Sequence, residues 1–175
     1  MRKLKLEELN RISIQEFQSQ KKTPVVLVLD NVRSALNVGS AFRTADAFAL
    51  AHIYLCGITA QPPHREILKS ALGATESVNW SYAKDSLAAV QHLNAEGYAV
   101  WAVEQAVGST ALQDFQLPAQ PLALVFGNEV HGVDQAIMDI ADGAIEIPQY
   151  GTKHSLNVSV SLGITVWEIF RQWKF

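Results

Sequence analysis

Ile147-Pro148-Gln149-Tyr150-Gly151-Thr152-Lys153-His154-Ser155-Leu156-Asn157-Val158-Ser159-Val160 is where the chain passes from a strand to a helix. The strand-like run Ala144-Ile145-Glu146-Ile147 stops at Pro148, which cannot donate to a sheet ladder. A glycine-bearing polar loop follows, and then an apolar, helix-patterned tail over residues 155–173. In open α/β sheets the carboxyl end of a strand is the usual ligand crevice. Ser155 and Asn157 carry two readings: groups of a binding site, or ordinary cap and first-turn residues of the helix.

Upstream, Val25-Val26-Leu27-Val28-Leu29 lies between Pro24 and Asp30 and reads as a strand buried on both faces. Further strands are expected over residues 53–56, 77–80, 98–103, 122–126 and 144–147, with helices over 36–48, 65–72, 85–96, 134–140 and 155–173. Strand and helix in alternation predict parallel pairs joined by helical crossovers. The fold class is therefore α/β, a mostly parallel sheet flanked by helices. No repeat or linker interrupts residues 25–175, which read as one domain behind a short basic extension, residues 1–24.

With 175 residues, 49% hydrophobic and 18% charged, the chain can bury a core and is not of disordered composition. No apolar run approaches the roughly 20 residues that cross a bilayer, and Met1-Arg2-Lys3-Leu4-Lys5 is not followed by a signal-peptide core. The single cysteine, Cys56, reads as packing in a reducing, cytoplasmic setting. Net charge is −3, yet residues 1–22 hold six bases against three acids, and the remainder eight against fourteen. A basic head on an acidic body suits steering of a polyanion. The same segment also reads as a solvated amphipathic helix that lays Leu6, Leu9 and Ile12 on the body.

Two more strand exits concentrate polar groups. The first is Asp30-Asn31-Val32-Arg33-Ser34-Ala35-Leu36-Asn37-Val38-Gly39-Ser40-Ala41-Phe42-Arg43. Val38, Phe42, Ala45 and Ala49 follow helical spacing and form the core face, which leaves Arg43 on the flank toward the crevice edge. Two arginines and two asparagines around one exit suit phosphate and ribose oxygens. A helix cap at Asn37 and a surface ion pair at Arg43 are the plainer readings. The second exit is Phe126-Gly127-Asn128-Glu129-Val130-His131-Gly132-Val133, where Gly127 admits close backbone approach and Glu129 stands just past a buried strand. His131 reads as a solvated loop histidine ahead of a catalytic one. There is no G-x-G-x-x-G or Walker pattern and no metal-ligand spacing, so no metal is expected.

Three blocks occur in order: Asn37 through Arg43 with Thr44-Ala45-Asp46-Ala47; Phe126-Gly127-Asn128-Glu129 with Gly132; and Ile147-Pro148 with Gly151 and Ser155-Leu156-Asn157-Val158-Ser159-Val160. Together they resemble the SpoU (TrmH-like) family of RNA ribose 2′-O-methyltransferases, within the SPOUT superfamily. The resemblance implies a SPOUT-type fold with a C-terminal deep trefoil knot, a rare exception to unknotted topology. It also implies a homodimer with each active site near the subunit interface. S-adenosylmethionine is the implied cofactor, held largely by backbone at Gly127, Ile147 and Leu156, with Glu104 nearby. Its methyl group is transferred to a ribose 2′-hydroxyl, with Arg43 as the implied catalytic arginine and Asn37, Glu129, Ser155 and Asn157 completing the polar set. A guanidinium stays protonated at ordinary pH, so orienting ribose and phosphate and stabilising an alkoxide suit Arg43 better than proton removal.

RNA contact is expected from Arg33, Arg43, Arg65, Lys69 and Lys153 near the crevice. Trp80, Tyr82 and Tyr150 are stacking candidates, with packing the plainer use of Trp80. Ser159-x-x-x-Gly163 with Val166, Ile169 and Trp173 is a candidate dimer face, intrachain packing being the alternative. By family analogy tRNA is favoured over rRNA. Two other functions stay open. A non-catalytic RNA-binding or assembly factor is opposed by the joint presence of Arg43, Glu129 and Asn157; a flavodoxin-like binder of another nucleotide is opposed by the missing phosphate loop.

Overall fold

The computed structural model describes residues 1–175, apart from the side chain of Leu6. In chain order the first half comprises α1 (Ile14–Ser19), β1 (Thr23–Asp30), α2 (Ala35–Ala47), β2 (Leu50–Cys56), α3 (Arg65–Ala71), α4 (Ala74–Ser77) and β3 (Trp80–Ala83). The second half comprises α5 (Ser86–Ala95), β4 (Ala99–Val103), β5 (Thr110–Ala111), β6 (Leu122–Phe126), α6 (Gln135–Met138), β7 (Gly143–Glu146) and α7 (Val158–Lys174). The strands form one sheet in the order β3-β2-β1-β6-β4-β7-β5, and every neighbouring pair is parallel. From β1 the chain builds outward to β2 and β3, then crosses to the other side. Winding therefore reverses between β1 and β6, whose carboxyl ends are level at Leu29 and Phe126. In open α/β sheets ligands bind outside the carboxyl ends of the strands.

Burial on both faces explains the unbroken apolar runs. Leu27 and Leu29 of β1, with Leu124 and Phe126 of β6, join Val38, Phe42 and Ala45 of α2 and Leu162, Val166 and Ile169 of α7. Val26, Val28, Ala123 and Val125 alternate with them and pack toward α5 and α6. Each fully buried large side chain contributes about 1.5–3 kcal/mol. Gly39 lets α2 and α3 touch, because a Cβ there would lie 2.5 Å from the Ile67 carbonyl oxygen.

Several boundaries differ from the sequence reading. Leu9 and Ile12 are exposed, and Phe17 of α1 enters the core instead; Leu6 lies outside the described side chains. The cause is a capping box, Ser13 with Glu16, which starts α1 late and sets its buried face after the leucines. The strand expected over residues 77–80 begins only at Trp80, as β3, because Ser77 ends α4 and its hydroxyl donates to the Asp46 carboxylate. The last helix begins at Val158, three residues later than expected, and leaves Ser155 and Leu156 in the loop. β5 is only two residues long, too short for any alternation to signal. No helix among the described residues is long and apolar enough to cross a membrane.

Candidate functional site

A cleft of about 1040 Å³ opens at the carboxyl ends of β4, β6 and β7, lined by residues 103–107, 126–133, Ile147, Gln149 and 155–158, among others. Gly127, Ile147, Leu156 and Glu104, the expected cofactor contacts, all line it, as do Glu129, Ser155 and Asn157. Outside the strand ladder, the backbone groups of Gly127, Ile147 and Leu156 have no hydrogen bond among the described residues. They are free to bind a planar, polar-edged ligand, and Ile147, Leu156 and Val133 supply apolar surface beside them.

The loop between β6 and α6 is folded back on itself. Asn128 N–H donates to Gly132 O and Gly132 N–H to Asn128 O, both at 2.9 Å, while Asn128 Oδ1 accepts from the Val130 and His131 amides. Gly132 has φ +70°, and a Cβ there would lie 2.3 Å from Glu104 Oε2. That oxygen accepts from Val133 N–H at 3.1 Å, and Glu104 Oε1 accepts from Gln105 N–H at 2.9 Å. The carboxylate at the end of β4 thus holds the loop after β6.

Glu129 leaves the same loop in the other direction. Its oxygens accept from Arg33 N–H (2.8 Å), Ser34 N–H (3.0 Å) and Asn37 Nδ2 (3.0 Å) at the start of α2. Burial pushes this carboxyl up, but the Arg33 and Ser34 amides, its own amide and Asn37 outweigh burial and hold it below the usual carboxylate range. Glu129 is therefore an ionised clamp on α2, poorly suited to carrying a proton. A carboxyl held low in the fold adds stability above its ordinary range and loses it as pH falls through the folded value. Glu129→Gln should lower the melting temperature at neutral pH and flatten its fall below about pH 5. Thermal melts across that range check both; a parallel acid limb in the variant contradicts the clamp.

The plainer readings decide part of the site. Asn157 is the cap of α7: its Oδ1 accepts from Ser159 N–H at 2.9 Å and from Ser159 Oγ at 2.6 Å. Ser155 is not a cap and is exposed on the cleft wall. Ser34 caps α2, which frees Asn37 to reach Glu129. Asn157→Ala should destabilise α7 by about 1 kcal/mol and weaken any ligand held by the preceding loop. Denaturant melts and ligand titration read the two effects separately.

The basic residues are placed otherwise than expected. None of Arg33, Arg43, Arg65, Lys69 and Lys153 lines the cleft. Arg43 is exposed on α2 with no hydrogen bond or ion pair among the described residues, in a separate depression with Lys69, Ser40, Thr44 and Ser70. Neither the expected crevice-edge position nor a surface ion pair applies. The reason is rotation: six residues separate Arg43 from Asn37, which puts them on different sides of one helix. Asn31 is also turned inward, donating to Asp30 Oδ1 and accepting from Ile58 N–H.

Among the other candidates, His131 is exposed and its ring has no hydrogen bond among the described residues. Cys56 is buried, its thiol pushed up to about 12 by burial and then by the Asp30 charge, so it is inert packing. Trp80 packs edge-on against Phe42 at 6.2 Å, while Tyr150 is 98% exposed. No group of three or more potential metal ligands is found among the described residues. Sequence reasoning missed Asn128 and Asp30: both lie inside quoted strand-exit stretches, and neither carries a role there.

Comparison with known proteins agrees with this architecture. The model of the SpoU rRNA Methylase family matches residues 24–167. The 23S rRNA (guanosine-2′-O-)-methyltransferase RlmB of Vibrio parahaemolyticus is 34% identical over 166 residues, 94% of this chain and 66% of the relative. Its counterpart in Haemophilus influenzae is 32% identical over 165 residues, 94% of this chain and 67% of the relative. The chain thus spans about two thirds of the length of these curated relatives. The solved A. aeolicus TrmH/SpoU tRNA modifying enzyme has a TM-score of 0.81 at 27% identity, over 91% of this chain and 80% of that one. An AdoMet-bound rRNA methyltransferase from Sinorhizobium meliloti has a TM-score of 0.80 at 28% identity, over 94% and 62%. With the second and third sequence blocks lining the cleft and the first tied to it through the Asn37–Glu129 hydrogen bond, the chain belongs to the SpoU rRNA methylase family.

Proposed function

We propose that this chain transfers the methyl group of S-adenosylmethionine to a ribose 2′-hydroxyl of RNA. The observation that carries the reading is the cleft itself, where unpaired backbone at Gly127, Ile147 and Leu156 lies beside apolar side chains and next to the Glu129–Asn37 clamp. A purine ring needs such backbone edges and flat apolar walls, so the residues fit the cofactor. When bound, it supplies an activated methyl group on a sulfonium. The chain's own work is then positioning. Gly127, Ile147 and Leu156 grip the adenosine, Glu104 fixes the loop that carries Gly127, and Ser155 and Asn157 shape the wall where the loop meets α7. Arg43 orients the ribose and its phosphate and stabilises the alkoxide as the 2′-hydroxyl loses its proton.

That role requires a second subunit, because Arg43 lies outside the cleft of its own chain. A homodimer in which Arg43 serves the partner's cleft resolves the separation. Val160, Ile164 and Trp167 support it: they are 48%, 40% and 49% exposed and repeat at helical spacing on α7 beside the cleft. Val166 and Ile169, expected on that face, are instead packed within the chain.

The knot expected of the C-terminal segment is supported by strand order. β7 lies between β4 and β5, which only residues 104–109 connect, so the segment leaving β7 must pass that short arch. Gln105 of the arch donates to the His154 carbonyl of the passing loop at 2.8 Å.

For substrate, the curated relatives named above act on 23S rRNA guanosines, so rRNA replaces tRNA as the first RNA to test. Calorimetric titration with S-adenosylmethionine, followed by methyl transfer to rRNA and tRNA, tests the reading. Saturable binding and ribose methylation of either RNA support it. A folded protein that binds no cofactor, even with RNA present, refutes it.

A further inference from the structure

Asp30 ends β1 with a carboxylate that is 1% exposed. No cation pairs with it among the described residues; neutral donors surround it instead. Oδ1 accepts from Ser86 Oγ at 2.6 Å and from Asn31 Nδ2 at 2.8 Å, and Oδ2 accepts from Asp134 N–H at 3.0 Å. A buried carboxylate held by neutral groups alone is costly compared with an apolar side chain. A geometric role accounts for its place at a strand end otherwise buried in leucine and valine.

Two of the three donors lead to the cleft loop. Asp134 closes that loop directly before α6. At the loop's start, Asn128 Nδ2 donates to the Asn31 carbonyl at 2.8 Å. Asn31 is itself locked: it sits at φ +54°, bonds Asp30, and its Oδ1 accepts from Ile58 N–H at 3.1 Å. Gly57 packs so closely that a Cβ would lie 2.1 Å from Asn31 Oδ1. The third donor, Ser86, opens α5 and leads away from the cleft.

We propose that Asp30 is a positioning residue for the cofactor cleft, fixing both ends of loop 128–134 against the exit of β1 while not lining the cleft itself. The inference rests on the methyl-donor reading of that cleft.

The test compares Asp30→Asn with Ser86→Ala. The asparagine must turn an amide NH₂ toward Asp134 N–H or toward the other donors, whereas the serine variant removes a bond to the same carboxylate and leaves the loop ties intact. Cofactor affinity is read by calorimetry well below the melting temperature, and loop order by amide hydrogen exchange without cofactor. Asp30→Asn should weaken cofactor binding about tenfold or more, the scale of one charge-assisted hydrogen bond, and speed exchange across residues 128–134. Ser86→Ala should leave both within about twofold of wild type. Equal effects of the two variants, or unchanged loop exchange in Asp30→Asn, overturn the proposal. Should Asp30→Asn not fold, Asp134→Pro and Asp134→Ala replace it. Both lose the α6 cap, but only proline, which suits the φ of −56° there, deletes the N–H that Asp30 accepts. Equal loop exchange in those two variants overturns the proposal as well. A wild-type protein that binds no cofactor defeats the methyltransferase reading, while the exchange comparison still decides whether Asp30 holds the loop.

Discussion

Arg43→Ala is expected to lower methyl transfer by about a thousandfold while cofactor affinity stays within about twofold of wild type. The separation of the two effects follows from geometry: Arg43 is exposed on α2 and touches no part of the cleft of its own chain. In the proposed dimer it meets the partner's cleft on the side of the ribose and phosphate, so its loss spares the contacts to the adenosine. In the proposed reaction that loss removes a positive fork for ribose and phosphate, which would act when charge develops on the attacking oxygen. Arg43→Lys keeps the charge but not the planar fork, and should recover only part of the rate. Single-turnover transfer beside calorimetry separates the steps. Equal loss of rate and cofactor affinity would sink the role.

Gly127→Ala is expected to fail at the earlier step. A Cβ at Gly127 would lie 2.1 Å from Gly132 C and 2.2 Å from Val133 N, both backbone atoms that cannot turn aside. The loop must open to accept it, straining the Asn128–Gly132 bridge and the bond from Val133 to Glu104. Overpacking of this kind costs about 1–3 kcal/mol, or about five- to 140-fold in cofactor affinity if the strain falls on the cleft. Calorimetry on a variant that melts cooperatively reads it, and unchanged affinity would contradict the place of Gly127 in the cleft. The two variants also test the dimer. In a mixed dimer of Arg43→Ala and Gly127→Ala subunits, an intact cleft meets an intact Arg43 only if arginine acts across the interface. Recovered activity on mixing supports that arrangement; none refutes it.

Much of the site was legible because the relevant signals are local. Gly127 and Glu129 stand out as a glycine and a carboxylate just past a buried strand; Ile147 and Leu156 follow from the family resemblance, and the fold brings all four to one cleft. Other roles depend on contacts across the sheet. Glu129 looks like a free acid until the start of α2 is seen donating three hydrogen bonds to it. Asp30 looks like punctuation until Asp134 and Ser86 arrive from positions 104 and 56 residues away. Arg43 is the converse case, where a motif residue next to the site in sequence is carried off it by helix rotation.

Local patterning was enough to specify the class of fold. Continuous apolar runs require burial on both faces, and alternation of strand and helix requires parallel crossovers, so local chemistry left few other arrangements. It also placed polar groups and glycines at the strand exits. Strand order came from the assembled sheet, with β7 inserted between β4 and β5 and winding reversed between β1 and β6. Neighbours in a sheet are chosen by long-range pairing and packing, which no window of sequence records. The same long-range contacts decided which carboxylates are clamps and which cations stand apart from the cleft.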